Sequence, residues 1–148
     1  HVPNRDQTYW GSNQYGCYFL CGNSSDIEEI RVSSNSNSSL RIVCSESHPS
    51  NQLASLLKKI ENCEVYTAGS SLKFCMIAKG EADCYPRLGL TSEWDTAAGE
   101  IIAESAGACT FTIENKLLSY NMNENGFLNP YFIVTNSIRT KEMVLSLI

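Results

Sequence analysis

Residues 63–87, CEVYTAGSSLKFCMIAKGEADCYPR, decide the fold class because they hold a strand, a helix and a second strand in succession. The segment from Cys63 to Thr67 predicts the first strand, and a small-residue turn leads into an apolar helix through Lys79. Ala82 to Leu88 predicts the next strand, which its proline confines to a sheet edge or to the end of its pairing. Strands alternating with helices favour a partly parallel sheet covered by helices, so we predict an α/β fold with a mixed sheet.

The same alternation continues on both sides of this stretch. Further strands are predicted at Leu40 to Cys44, Cys109 to Ile113 and Tyr131 to Thr135. Helices are predicted after Ser50, with Leu53, Leu56, Leu57 and Ile60 on one face, and from Asp95 to Ala106, ended by Gly107.

The amino-terminal region has a different pattern. Tyr9-Trp10, Tyr15 to Leu20 and Glu28 to Val32 predict antiparallel strands joined by turns. Residues 33–39 contain only serine and asparagine, which indicates a loop and a boundary. We therefore divide the chain into residues 1–39 and an α/β domain at residues 40–148.

Length and composition describe an ordinary globular domain. The chain has 148 residues, 43% of them hydrophobic, which suits one domain with a substantial core. A net charge of −5 argues against a nucleic-acid polymer as partner, because backbone binding normally needs a basic face. No apolar run approaches the ~20 residues that span a bilayer. The chain has seven cysteines, an odd number, and no C-x-x-C motif. Most of them lie in apolar runs, which predicts buried thiols in a cytoplasmic protein.

Five polar residues lie where a predicted strand ends or a predicted helix begins: His48, Ser70, Lys73, Arg87 and Asp95. Ligands of open α/β sheets bind outside the carboxyl ends of the strands, and helix amino termini favour anions. These positions therefore suit one anion pocket. Purely structural roles are also open for these residues. Lys73 could reach solvent beside a serine cap, and Arg87 could pair with Glu81 or Asp83. Asp95 could cap its helix with Ser92, and His48 could be a solvated loop residue.

Four segments occurring in order resemble the inositol monophosphatase superfamily. They are Gly69-Ser70-Ser71-Leu72-Lys73-Phe74-Cys75, Ala78-Lys79-Gly80-Glu81-Ala82, Tyr85-Pro86-Arg87 and Trp94-Asp95-Thr96-Ala97-Ala98-Gly99. The last matches the family signature W-D-x-A-A-G, which precedes a helix ending in A-G. The G-S-S-x-K and Y-P-R segments, with Phe127-Leu128-Asn129-Pro130, look like the 3′(2′),5′-bisphosphate nucleotidase branch. The resemblance extends from about Val2 to Thr135.

This resemblance implies a magnesium-dependent, lithium-sensitive phosphatase of sulfate assimilation that removes one phosphate from adenosine 3′,5′-bisphosphate. It implies that Asp95 is a catalytic residue that binds Mg²⁺ and also contacts the substrate. Ser70, Lys73 and Arg87 would hold the nucleotide and its non-reacting phosphate, and His48 would lie near the base or ribose. The implied location is cytoplasmic, or peripheral at the inner membrane.

The sequence departs from the family in two places. Relatives commonly have S-R-S-H where this chain has Ser45-Glu46-Ser47-His48. The metal-binding motif D-P-x-D-G-T is absent, since no Asp-Pro or Asp-Gly dipeptide occurs. The resemblance therefore predicts the carboxy-terminal part of the sugar-phosphatase fold, preceded by strands of an incomplete first domain. We expect it to be inactive alone, with the missing amino-terminal half as its partner.

Two alternatives remain open for the function. One is an inositol monophosphatase-like or fructose-bisphosphatase-like sugar phosphatase, although Lys73 favours the nucleotide. The other is a non-catalytic nucleotide-binding or interaction domain.

Overall fold

The computed structural model describes residues 1–34, 39–45, 50–122 and 126–148. A 3-10 turn at Pro3–Arg5 precedes a three-stranded antiparallel sheet of β1 (Gln7–Ser12), β2 (Gly16–Cys21) and β3 (Glu28–Glu29), in the order β1-β2-β3. The second sheet has the order β5-β4-β6-β8-β7 and consists of β4 (Leu40–Ser45), β5 (Cys63–Ala68), β6 (Cys84–Arg87), β7 (Cys109–Thr112) and β8 (Phe132–Thr135). The helices are α1 (Asn51–Lys59), α2 (Leu72–Ala78), α3 (Glu93–Ser105) and α4 (Ile138–Leu145).

The second sheet is mixed, which confirms the predicted fold class. Strand β4 runs parallel to β5 and β6, whereas β8 runs antiparallel to both β6 and β7. The prediction that Pro86 keeps its strand at a sheet edge is wrong, because β6 is the central strand. Its pairing with β4 involves only Ile42 and Cys84, so Pro86 lies beyond the end of that ladder. On the β4 side of β6, the structure therefore shows the other predicted arrangement, in which the proline lies where pairing ends.

Helices α2 and α3 pack against both sheets and carry most of the core. Towards the second sheet, the Phe74 ring lies 5.2 Å from that of Tyr85 and 6.0 Å from that of Phe132. Towards the first sheet, Tyr9 and Phe19 belong to a buried cluster that includes residues of α2 and α3. The two sheets therefore share one layer of helices, and the core is continuous between them.

Local signals fix several element boundaries as predicted. The Ser50 hydroxyl accepts a hydrogen bond from the Leu53 N–H at 3.1 Å, and this cap begins α1. Leu53 and Leu56 are buried, as the periodicity of α1 indicated. Gly107 has φ of +100° just after α3, a conformation that favours glycine.

Two elements differ from the prediction. The third strand ends at Glu29, because beyond it the chain turns to the helix layer: Ile30 is buried, and the Val32 N–H bonds to the Ala106 carbonyl at 3.0 Å. Helix α4 was not predicted. The division at residue 40 stays a prediction.

A buried ion pair ties β4 to the turn before β6. The Arg41 guanidinium donates to both carboxylate oxygens of Asp83, at 2.9 and 2.7 Å, and to the Gly80 carbonyl at 2.8 Å. Asp83 is only 3% exposed, so its charge depends on this partner.

The cysteines are distributed mostly as expected, since Cys17, Cys44, Cys75 and Cys84 are buried and Cys21 is exposed. Within the described ranges, no helix has the length and apolar character needed to cross a membrane.

Candidate functional site

Lys73 is a buried lysine in the first turn of α2. It is 3% exposed, so the reading in which its side chain reaches solvent is wrong. Its ammonium donates to the carbonyls of Ala68 at 3.1 Å and Ser70 at 2.7 Å, and lies 5.3 Å from the Tyr85 ring centroid. Burial lowers the pKa of Lys73, and the nearby charge of Arg87 lowers this pKa further. Lys73 therefore holds the β5–α2 loop in shape while carrying a charge into the interior.

Ser70 contributes its backbone to this arrangement. Its φ of +47° is unusual for a residue with a side chain, and it turns the Ser70 carbonyl towards the Lys73 ammonium. The residue is exposed, and the helix cap position belongs to Ser71, which makes no side-chain capping bond. The Ser70 hydroxyl is thus placed at the surface beside the buried lysine.

Arg87 ends β6 in a half-buried position. One terminal nitrogen, Nη2, donates to the Leu90 carbonyl at 2.5 Å. Its Nε is buried and has no hydrogen-bond partner among the described residues. Neither predicted acidic partner is available, because Glu81 pairs with Lys79 at 3.4 Å and Asp83 pairs with Arg41. The surface ion pair considered for Arg87 is therefore not formed.

Lys73 and Arg87 thus lie within electrostatic range of each other. In the described part of the chain, neither Lys73 nor Arg87 forms a salt bridge. Tyr85 marks the centre of the group: burial raises its pKa to about 12, the charge of Arg87 opposes this rise and that of Asp95 adds to it. The arrangement is an excess of positive charge in a partly dry environment, which favours an anionic ligand.

Sequence reasoning missed two neighbours of this cluster. Tyr85 lies within the Y-P-R segment, so that motif was a usable signal for it. Cys44 lies one residue before the end of β4, and its buried thiol interacts with Lys73: burial raises the pKa of Cys44, and the ammonium partly offsets that rise. No sequence signal distinguishes this cysteine from the other buried ones.

Asp95 is exposed in the first turn of α3. One oxygen, Oδ2, accepts a hydrogen bond from the Ser92 N–H at 3.2 Å, so the capping arrangement considered from the sequence is present. Metal binding needs more than this residue, because the described residues contain no group of three or more His, Cys, Asp or Glu side chains that could hold an ion. One carboxylate does not make a site for a catalytic Mg²⁺, and the described residues alone do not fit that ion. His48 lies outside the described residues.

A second polar group was not foreseen at all. The Tyr120 hydroxyl donates to the Glu100 carboxylate and lies 3.3 Å from the Thr96 hydroxyl, and Asn129 donates to the same Thr96 hydroxyl at 3.0 Å. Burial raises the pKa of Glu100 to about 6, although the bond from Tyr120 acts in the opposite direction. These contacts attach the segments around residues 120 and 129 to α3.

A cavity of about 710 Å³ lies elsewhere, between the start of α4 and the start of β4. Its lining includes Asp83, Asn136, Arg139 and Thr140, but none of the predicted site residues. It is therefore separate from the cluster around Lys73 and Arg87.

The comparisons with known proteins agree on one protein family. The model of the inositol monophosphatase family matches residues 1–148. The curated relatives include 3′(2′),5′-bisphosphate nucleotidase CysQ of Salmonella typhimurium, 47% identical over 94 residues that make up 64% of this chain and 38% of that protein. CysQ of Aggregatibacter actinomycetemcomitans is 33% identical over 138 residues, covering 90% of this chain and 49% of that protein. The chain thus spans less than half the length of these relatives.

Solved structures confirm the fold. CysQ of Bacteroides thetaiotaomicron, a bacterial member of the inositol monophosphatase family, superimposes with a TM-score of 0.79 at 32% identity. That match covers 93% of this chain and 56% of that one. Inositol monophosphatase from Anabaena matches 99% of this chain and 56% of that one, with a TM-score of 0.74, and at 22% identity it supports the fold alone.

Proposed function

Because this chain belongs to the inositol monophosphatase family, we propose that it forms the nucleotide-binding side of a magnesium-dependent phosphatase. The reaction is hydrolysis of adenosine 3′,5′-bisphosphate to AMP and phosphate. The observation that carries this proposal is the pair of cations, Lys73 and Arg87, which lie within electrostatic range of each other and form no salt bridge among the described residues.

The hydrogen-bonding capacity of the two side chains suits a phosphate group. An ammonium has three N–H donors, and carbonyls occupy two of those of Lys73. The Nε of Arg87 has no acceptor among the described residues. A phosphate placed between them would accept charge-assisted bonds and relieve the repulsion between the two cations. The exposed Ser70 hydroxyl is the proposed third donor, and His48 is proposed to lie near the base or ribose.

The similarity to CysQ nucleotidases supports a nucleotide as the substrate. Asp95 is proposed as one ligand of the catalytic Mg²⁺. The remaining ligands must come from residues other than the described ones, since these contain no three-ligand group. We therefore propose that the 148-residue chain is inactive alone and needs the amino-terminal half of a family enzyme. A cytoplasmic location is part of the proposal, supported by the four buried cysteines, because free thiols persist in reducing compartments.

Phosphate release tests this proposal. The chain is assayed with Mg²⁺ and adenosine 3′,5′-bisphosphate, alone and after co-expression with the amino-terminal part of the Bacteroides thetaiotaomicron enzyme. We expect release only from the co-expressed pair, and faster release from the nucleotide than from inositol phosphate. Turnover by the chain alone would refute its dependence on the second part, and a preference for inositol phosphate would refute the substrate.

A matched pair of variants tests the cation cluster. Arg87→Ala should raise the KM of the co-expressed pair about tenfold or more, since it removes a charge-assisted contact. Arg31→Ala should have little effect, because Arg31 is exposed and pairs with Glu29 at the surface. Equal effects of both variants would show that net charge, and not the cluster, determines affinity. Calorimetry could also show that the chain binds the nucleotide equally well with and without metal. If the co-expressed pair then hydrolyses nothing, the result favours a non-catalytic binding domain.

A further inference from the structure

The F-L-N-P segment at residues 127–130 has no role in the cation cluster, but it lies along the turn that begins α3. Two backbone hydrogen bonds and an isolated antiparallel bridge join this segment to residues 91–93. The shorter bond runs from the Glu93 N–H to the Phe127 carbonyl and measures 2.8 Å, and the other measures 2.9 Å. The segment is therefore paired, residue by residue, with the backbone that leads directly into Asp95.

Asn129 spans this turn with its side-chain amide. Its Nδ2 donates to the Thr96 hydroxyl at 3.0 Å and to the Thr91 hydroxyl at 3.3 Å, and Asp95 lies between these two residues in the chain. Asn129 is only 3% exposed, and its Oδ1 is buried with no hydrogen-bond partner in the part of the chain that the structure describes. A buried acceptor without a partner costs free energy, so overall stability does not explain an amide at this position. Its two donor contacts do explain it.

The orientation of the Asp95 side chain depends on the same turn. The Asp95 Oδ2 accepts a hydrogen bond from the Ser92 N–H at 3.2 Å, and the carboxylate is otherwise at the surface. Ser92 is the middle residue of the stretch that is paired with the F-L-N-P segment. Movement of this turn would therefore move the N–H group that directs the carboxylate.

A second segment fastens the start of α3 from another side. The Tyr120 hydroxyl donates to the Glu100 carboxylate and lies 3.3 Å from the Thr96 hydroxyl, and the Asn121 N–H donates to Oε2 of Glu93 at 2.8 Å. Burial raises the pKa of Tyr120, and the bond to Glu100 raises it further, so this hydroxyl keeps its proton and remains a donor. Thr96 is 1% exposed and is the point where the contacts of both segments meet.

We propose that Asn129 is a positioning residue for the reaction: through Thr91 and Thr96 it fixes the turn before α3, and it thereby holds the Asp95 carboxylate in one orientation. This rests on the proposed function, in which Asp95 takes part in catalysis. A small displacement of a catalytic group lowers the rate strongly, so a fixed turn beside an exposed carboxylate has a value that stability alone does not require.

Leucine is the most informative replacement for Asn129, because it has nearly the same shape and no polar atoms. Asn129→Leu removes two donor contacts, which stabilise the fold, and one unpartnered acceptor, which destabilises it. These effects partly cancel, so the urea midpoint of the 148-residue chain should change by less than about 10%. A loss of local order at the turn can then be measured without a general loss of stability.

Residue-resolved hydrogen exchange of the Ser92 amide measures this order directly, because Asp95 supplies its acceptor. In the 148-residue chain, Asn129→Leu should speed this exchange at least about fivefold, towards the rate in Asp95→Ala, which lacks the acceptor. Asn136→Leu is the matched control. The Asn136 amide donates to the Asp83 carboxylate at 3.0 Å, close to the start of α4. This variant should lower the urea midpoint and leave the Ser92 exchange unchanged.

A pair of variants at Thr96 separates hydrogen bonding from packing. Thr96→Val keeps the shape and removes the hydroxyl that receives the Asn129 bond, so it should reproduce the faster Ser92 exchange. Thr96→Ser keeps the hydroxyl and should hold the exchange within about twofold of the wild-type rate. The reverse order, with valine tolerated and serine not, would show that Thr96 only fills space and would overturn the inference. This pair also decides the matter if Asn129→Leu does not fold.

Kinetics of the chain co-expressed with the amino-terminal part of the Bacteroides thetaiotaomicron enzyme test the consequence for the reaction. Asn129→Leu should lower kcat about tenfold and keep KM within about twofold, because Lys73 and Arg87 are unchanged. Arg87→Ala is expected to have the opposite effect, on KM. A rise in KM with unchanged kcat in Asn129→Leu would contradict the positioning of Asp95.

The remaining outcomes separate this inference from the proposed function. Unchanged Ser92 exchange in Asn129→Leu would overturn the inference even if kcat falls. Equally fast exchange in Asn129→Leu and Asn136→Leu would also overturn it, since the effect would then be a general loosening. If the Ser92 exchange rises as expected but the wild-type pair releases no phosphate, the link between Asn129 and Asp95 is supported and the proposed phosphatase is refuted.

Discussion

Replacing Gly99 with alanine tests why the W-D-T-A-A-G segment ends in glycine. A methyl group at this position would lie 2.6 Å from Cδ2 and 2.8 Å from Cγ of Phe74. These atoms cannot move away easily, because Phe74 is 1% exposed and its ring contacts those of Tyr85 and Phe132. Overpacking of this kind typically costs about 1–3 kcal/mol. Both distances are far shorter than ordinary van der Waals contact, so we expect the upper part of that range, about 2–3 kcal/mol. Alanine favours the helix over glycine by about 1 kcal/mol, which leaves a net loss of about 1–2 kcal/mol of unfolding free energy.

Urea unfolding followed by tryptophan fluorescence measures this loss. Ala98→Gly at the neighbouring exposed position should cost about 1 kcal/mol from helix propensity alone, which calibrates the second term. The double variant Gly99→Ala with Phe74→Leu should lose at least about 1 kcal/mol less than the sum of the two single variants. Gly99→Ala at or above wild-type stability would refute the packing explanation and leave a ligand or a partner as the reason for the glycine.

Three further predictions concern the charged groups. Without metal, Lys73→Ala should weaken binding of adenosine 3′,5′-bisphosphate about tenfold or more in calorimetry, and Asp95→Asn should change it less than about twofold. Because the pKa of Glu100 is raised to about 6 in the folded protein, unfolding free energy should fall by about 2 kcal/mol as pH rises from about 4 to about 7. Arg41→Met should cost about 3–5 kcal/mol by leaving a buried carboxylate unpaired, while Arg31→Met at an exposed pair should cost less than about 1 kcal/mol.

Each of these has a clear contrary result. Equal losses of affinity in the Lys73 and Asp95 variants would contradict their separate roles. The Glu100→Gln variant should lack the fall in stability between about pH 4 and pH 7, and an unchanged slope would assign it to other groups. Similar costs for the Arg41 and Arg31 variants would show that the buried pair is not structurally important.

The sequence predicted most of the fold because its signals were local. Periodic leucines and the Ser50 hydroxyl are enough to define α1, and Gly107 is enough to end α3. Helix α4 was missed because its residues, IRTKEMVL, have four polar residues in succession after the first and show no regular apolar stripe. The position of β6 was misjudged because a strand with a proline can lie inside a sheet when the pairing on one side ends before the proline. The ladder of β6 with β4 ends in this way, while that with β8 continues past Pro86. Where a ladder ends depends on tertiary structure.

The sequence predicted that three of the candidate residues lie near each other, but it did not predict their contacts. Strand ends and helix starts do bring Lys73, Arg87 and Asp95 into electrostatic range of the same region around Tyr85. The partners of Lys73 could not be foreseen, because they are backbone carbonyls and any residue type carries one. The bond between Tyr120 and Glu100 joins residues twenty positions apart, and nothing in their spacing indicates it.

The identity of these partners bears on whether Lys73 can serve a ligand. A buried ammonium needs hydrogen-bond acceptors, and a carboxylate would satisfy that need while cancelling the charge. Carbonyls satisfy it without cancelling the charge. The Ala68 and Ser70 carbonyls therefore make the buried lysine tolerable and leave its positive charge uncompensated, next to the equally uncompensated Arg87. Two cations held in this way repel each other, so an anion that lies between them gains attraction from both and also removes that repulsion.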